Sequence, residues 1–200
     1  MSEEAIIKHC SPTLAGLKTG NMFTYPYKNA DEMRCAVRHW NKILSRRGLR
    51  ILPLRYFNNK ALIYLYRPSD LSKDLQNAAA CNILRKCGYG VCAPNICVAK
   101  LAKRMAEYKE FPHEIGLFLG YPPEDVRGFI ENKAGHCKYV GYWKVYGDEA
   151  AAKKTFAKYR KCTQIYTEQH TEGKNIERLI VPARKTGNKA TGVTKYNASH

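Results

Sequence analysis

Six residues in the stretch HCSPTLAGLKTG could do chemistry together: His9, Cys10, Ser11, Thr13, Lys18 and Thr19. Small polar side chains, two glycines and a lysine suit an anion or a cofactor phosphate. The spacing is not that of a P-loop, because no G-x-x-x-x-G-K-[ST] run is present. Ser11, Thr13, Lys18 and Thr19 form the candidate ligand-binding set. Cys10 and His9 are the candidate reactive groups. A cationic His or Lys nearby stabilises a thiolate, so a reactive Cys10 is expected to be accessible and acidic. The plain alternative is a solvent loop leading into the first strand.

A second stretch, FPHEIGLFLGYPPEDVRGFIENK from Phe111 to Lys133, offers His113 and Glu114 for acid–base work. Adjacent residues on a strand point to opposite faces, so the two are not expected to share one proton relay. The turn that follows is a poor phosphate cradle. Pro122 and Pro123 remove two backbone donors, and Glu124 and Asp125 already complement the positive end of the next helix. A structural corner is the expected role of that turn.

The eight cysteines stand at positions 10, 35, 81, 87, 92, 97, 137 and 162. In a reducing cytosol they are expected as thiols or ligands, not disulfides. Cys81, Cys87, Cys92 and Cys97 are separated by five, four and four residues. Paired zinc knuckles use C-x2–4-C spacings, which only the four-residue gaps approach, and Cys97 falls on an inward helical face, so metal binding by that cluster is disfavoured. Cys10, Cys137 and Cys162 are the remaining metal candidates, should the fold bring them together. No nucleophile elbow, H-E-x-x-H or G-x-G-x-x-G is present, so no cofactor or reaction class follows from motifs.

The net charge of +17 favours anionic company. Nucleic acid is one such partner, since YVGYWKVY and KALIYLYRP carry aromatics that could stack single-stranded bases. KALIYLYRP lacks the K/R-G-F/Y-G/A-F pattern of RNA-recognition modules, and a strand packed on both faces explains the aromatics equally well. Arg34, Arg38 and Lys42 line the first predicted helix, as on any amphipathic helix with a charged outer face.

These residues need elements to position them. The pattern predicts a strand over Leu17 to Tyr25, then a helix capped by Asn29 with Glu32 three residues on. LRILPLRYF and ALIYLY flank Asn58-Asn59-Lys60 as a hairpin, and Pro53 marks an edge. A helix from Ser69 to Cys87 follows, then one starting at Pro94 with Cys97, Leu101, Met105 and Tyr108 inward. Next come a strand from Ile115 to Leu119, a helix from Pro123 to Lys133, a strand from Lys138 to Tyr146 and a helix capped by Asp148. The order predicts an α+β fold: a mixed sheet built on a βαββαβ-like unit, with an added βα pair and a C-terminal helix. Residues 1–170 are expected as one domain. Residues 171–200, with six Lys/Arg against two Glu, are expected as a basic, flexible tail. No apolar run approaches the ~20 residues of a membrane span, and the acidic start MSEEAIIKHC lacks a signal-peptide core. A soluble cytoplasmic protein, not inserted in a membrane, is the expectation.

The motifs HCSPTLAGLKTG, ALIYLYRP, FPHEIGLFLGYPPEDVRGFI, GYWKVYGD and KKTFAKYRKCT together resemble a family of uncharacterised bacterial proteins known only as a domain of unknown function. The resemblance covers roughly residues 5–168. It implies no activity, cofactor or catalytic residue. A gene neighbourhood of flavodoxin and ferrous-iron transport, which the resemblance suggests, tilts the expected partner toward a redox or metal-handling protein. The leading expectation is an anionic ligand, or thiol- or metal-linked chemistry, at the N-terminal loop. A nucleic-acid-binding module and a protein-interaction adaptor are the alternatives.

Overall fold

The computed structural model describes residues 1–90, 93–107 and 111–183. The fold is α+β, but its sheet is not mixed. Three antiparallel strands, β1 (Gly20–Pro26), β2 (Arg50–Phe57) and β3 (Lys60–Tyr66), lie in the order β1-β3-β2. The β2–β3 turn has Asn58 and Asn59 at φ 43° and 56°. Two successive left-handed residues make the tight turn whose twist matches the strands, and asparagine tolerates that conformation well. Pro53 lies on edge strand β2, where the pairing with β3 slips between Pro53 and Arg55.

Central strand β3 explains why ALIYLY is apolar throughout. Leu62, Tyr64 and Tyr66 face one core, and Ala61, Ile63 and Leu65 face the other. The first core is covered by α3 (Pro68–Gln76), α4 (Ala78–Lys86), α5 (Pro94–Glu107), α6 (Ile115–Phe118) and α7 (Pro123–Glu131). The second is covered by α1 (Glu3–Leu14), α2 (Ala30–Leu44) and α9 (Ile176–Leu179). The long helix α8 (Glu149–Thr171) packs on α1 and on a small hairpin, β4 (Tyr139–Val140) with β5 (Lys144–Val145).

Several local expectations hold. Asn29 accepts a hydrogen bond from the Glu32 amide at 2.8 Å, and Asp148 accepts one from the Ala151 amide at 2.9 Å. Helix α5 starts at Pro94. Others are corrected. HCSPTL is not a loop but the second half of α1, whose N-cap is Ser2 and whose Ile6, Ile7, Cys10 and Leu14 are buried. Ile115–Phe118 is a helical turn, not a strand. Lys138–Tyr146 is a hairpin of two very short strands, not one sheet member. The expected Ser69–Cys87 helix breaks at Asn77, whose side chain accepts from the Ala79 and Ala80 amides and restarts the helix as α4. The added βα pair is therefore absent from the sheet. Past residue 170, Ile176, Leu179 and Ile180 are buried in the second core. Cys92, Tyr108 and the tail beyond Ala183 lie outside the described residues.

Candidate functional site

The N-terminal stretch is packed, and most of its polar groups are spent internally. Cys10 is 0% exposed, and burial pushes its thiol far up, only partly opposed by the positive charge of Lys18. An accessible, acidic Cys10 is thus not what the fold produces. Ser11 donates to the Ile7 carbonyl, Thr13 to Asn21 Oδ1 at 2.7 Å, and Thr19 to Asp74 Oδ2. His9 is exposed and stacks on Phe23, with ring centroids 5.2 Å apart.

Lys18 differs from its neighbours. It is only 6% exposed, and its ammonium has neither a carboxylate nor a hydrogen-bond acceptor among the described residues. It lies over two rings instead, 5.2 Å from the centroid of Tyr121 and 6.0 Å from that of Tyr159. Burial lowers its pKa to about 8, opposed by Cys10. Lys18, Tyr121 and Tyr159 come from three separated motifs, so the fold does join the amino-terminal segment to the central one and to α8.

Tyr121 also walls a second feature. A cavity of about 390 Å³ opens between α6, α7 and the β4–β5 hairpin. Its sides are Phe111, Tyr121, Val126, Phe129 and Trp143, with His113 and Lys144 at the polar edge. Tyr121 and Trp143 stack at 4.7 Å. Gly116 keeps this wall thin: a Cβ there would stand 2.7 Å from Val126 Cγ2 and 3.1 Å from Tyr121 Cδ2. Asp125 fixes the wall. One oxygen accepts from Trp143 Nε1 at 2.7 Å, and the other from the Tyr146 and Gly147 amides, each at 2.7 Å. Its carboxylate is therefore occupied in clamping the hairpin to the first turn of α7.

His113 and Glu114 sit at a helix start, not on a strand, so the strand-alternation argument does not apply, and the two make separate contacts. The His113 ring meets Phe129 edge-on at 5.1 Å, and its nitrogens make no hydrogen bond to the described residues. Glu114 is 3% exposed and is held by Arg104 Nε at 3.0 Å and the Tyr89 hydroxyl at 3.2 Å. A smaller hollow of about 210 Å³, lined by Cys87, Arg104, Glu114 and Ile130, shares Phe111 and His113 with this cavity. His113 thus stands where an apolar and a polar hollow meet.

Among the described residues no group of three or more His, Cys, Asp or Glu side chains could hold a metal ion. Cys10, Cys137 and Cys162 do not make such a group, and burial pushes the Cys162 thiol up to about 11. The hairpin aromatics are packing groups. Trp143 meets Phe156 edge-on at 4.4 Å and Tyr142 meets Tyr159 at 5.4 Å, both against α8. Arg34 is exposed and pairs with Asp31 on its own helix.

The sequence pattern did not single out Tyr121, Phe129, Arg104 or the place of Cys87, and it offered Trp143 only as a base-stacking aromatic. Tyr121 was the findable one, an aromatic directly before the double proline. The others depend on long-range packing.

The profile of a family described as Protein of unknown function (DUF3793) matches residues 6–180. The chain belongs to the DUF3793 family. The matched span closes at Ile180, the last buried residue of the α9 segment, so it covers residues 171–180 of the 171–200 segment that composition assigned to a tail. No curated protein and no solved structure matches the chain. No helix among the described residues of this DUF3793 protein is long and apolar enough to cross a membrane.

Proposed function

We propose that this DUF3793 protein binds a small molecule with a flat apolar body and an anionic edge. The ligand seats in the cavity between α6, α7 and the β4–β5 hairpin. One observation carries the reading: a cavity of about 390 Å³ walled by Tyr121, Phe129 and Trp143, with the exposed His113 ring at its edge and bonded to no polar group among the described residues. That volume falls in the usual range for small-molecule sites, which combine apolar walls with a few polar groups. The net charge of +17 and Lys144 on the rim favour an acidic ligand. Asp125 does not oppose one, since its oxygens already take three N–H donors. A thiol or metal reading has less support, because Cys10 is sealed and no ligand cluster forms among the described residues.

A thermal-shift screen of small aromatic carboxylic acids tests the reading. The expected result is a saturable rise in melting temperature that falls at least tenfold in apparent affinity in His113→Gln and vanishes in Phe129→Ala. A panel that stabilises neither the parent protein nor the His113→Gln form, or one that stabilises Phe129→Ala equally, overturns it.

A further inference from the structure

More than half of the net charge sits in one stretch. Residues 33–69 contain nine Lys/Arg and no Asp or Glu, so they contribute +9 of the chain's +17. Arg67 is spent inside the fold, on backbone carbonyls. Arg34, Arg38 and Lys42 recur every four residues on the exposed side of α2, and Arg46 continues the line just past its end. Fixed contacts lay this line along edge strand β2. At one end Tyr27, two residues before the α2 cap, meets the Tyr56 ring at 5.3 Å. At the other, the Asn41 side chain accepts from the Ile51 amide at 3.1 Å and donates to the Ile51 carbonyl at 2.7 Å. Helix and strand therefore run antiparallel, and the basic line starts beside the end of β2. There Tyr56 and Phe57 are 46% and 36% exposed. The carboxylates in the first turn of α2 are already engaged, Asp31 with Arg34 and Glu32 with the Lys28 amide. Arg38, Lys42 and Arg46 form no ion pair among the described residues.

We propose that this face binds single-stranded nucleic acid, with phosphates along Arg38, Lys42 and Arg46 and a base stacked on Tyr56. Single-strand sites of low sequence preference combine a positive track for the backbone with aromatic rings for the bases. Here the two lie side by side. At the rise of an α-helix the line from Arg34 to Arg46 is about 18 Å long, several phosphate spacings of one strand. Guanidinium outnumbers ammonium along it, and its planar fork suits phosphate oxygens. An acidic protein surface would match the charge alone, whereas the exposed rings at the end of the line favour bases. A membrane-surface helix needs its apolar face free for lipid, and that face of α2 is committed, with Met33, Trp40 and Leu44 buried in the second core. None of these residues lines the aromatic cavity, so this surface is separate from the small-molecule site.

Fluorescence anisotropy of the full chain tests this, with a labelled twelve-nucleotide oligothymidylate, its ribose counterpart oligouridylate, and a duplex of the same length. Single strands are expected to bind saturably, at least fivefold tighter than the duplex, and to weaken steeply as salt rises. A preference for either sugar supports the proposal and names the nucleic acid. Arg38→Gln with Arg46→Gln is expected to lower affinity at least tenfold and to reduce the salt slope by about 2. Tyr56→Leu is expected to lower it at least fivefold with the slope unchanged, since a ring and not a charge is lost. Lys154→Gln with Lys158→Gln removes the same charge from the exposed side of α8 and is expected to change affinity less than threefold. All five positions are exposed, so each variant should melt like the parent. No saturable binding at low salt overturns the proposal. So does an equal loss in the α8 pair, which would mean net charge acting without a site, and so does parent-like binding by Tyr56→Leu. Polyglutamate-like acidic peptide or heparin binding as tightly as the single strands overturns it too, in favour of an acidic partner. None of these readouts depends on the aromatic cavity, so failure here leaves the small-molecule reading standing, and the reverse.

Discussion

Lys18 carries an electrostatic cost in the native state that is absent from the unfolded chain. Its pKa falls from 10.5 to about 8 on folding, so between those values the unfolded chain holds a proton that the folded chain does not. Stability linked to Lys18 therefore rises with pH across that window. Cys10 acts in the opposite sense. Its thiol is raised above 9, so the stability linked to it is present below pH 9 and lost above. Lys18→Met is expected to stabilise the protein at pH 7 by on the order of 2–3 kcal/mol. The gain should shrink as pH approaches 10.5. Melting curves of both proteins from pH 6.5 to 10 check this, and a destabilised Lys18→Met at pH 7 contradicts it. Asp125 is the other residue whose role is specific. Asp125→Asn places an amide donor against one of three N–H groups and is expected to cost about 2 kcal/mol, measured by urea unfolding. It should also weaken ligand binding, since Trp143 loses its anchor.

At the scale of elements, α1 depends on a residue far along the chain. Arg67, at the end of β3, donates to the Thr13 and Leu14 carbonyls at 2.7 Å each and to the Val181 carbonyl at 2.6 Å. The first two are orphan acceptors at the end of a helix. The third ties down the segment after α9. Arg67→Met is expected to cost at least about 3 kcal/mol, because hydrogen bonds from a charged donor are worth more than neutral ones. Urea unfolding midpoints read the effect. This dependence also explains what the sequence hid. Ser, Pro, Thr and two glycines make HCSPTLAGLKTG resemble a loop, and the guanidinium that closes the helix lies over fifty residues away. Ile115–Phe118 misled for a related reason, since a short apolar run fits a strand or a buried helical turn equally well. Where a local device decides, as with the Asn29 and Asp148 caps or the Asn58–Asn59 turn, the residues themselves were enough. The aromatic cavity was hidden because its walls come from α6, α7 and the hairpin. No single stretch contains it.

Across the whole molecule, one sheet buried on both faces separates two cores, and the C-terminal segment belongs to one of them. Ending the chain at residue 174 would remove the buried Ile176, Leu179 and Ile180 and take the Val181 carbonyl from Arg67. Burying a large aliphatic side chain is worth about 1.5–3 kcal/mol, so that truncation is expected to lower the melting temperature steeply or abolish cooperative unfolding. A truncated chain that melts like the full one would show that α9 adds little.

The cavity walled by Tyr121, Phe129 and Trp143 is where the proposed ligand must bind. Trp40→Phe leaves Trp143 as the sole tryptophan, and its emission can be followed while a small aromatic carboxylic acid is titrated in. Saturable quenching or a spectral shift, abolished by Phe129→Ala and weakened by His113→Gln, is the predicted result. Emission unchanged across the whole acid panel, with Trp143 still shielded as in the free protein, would contradict it.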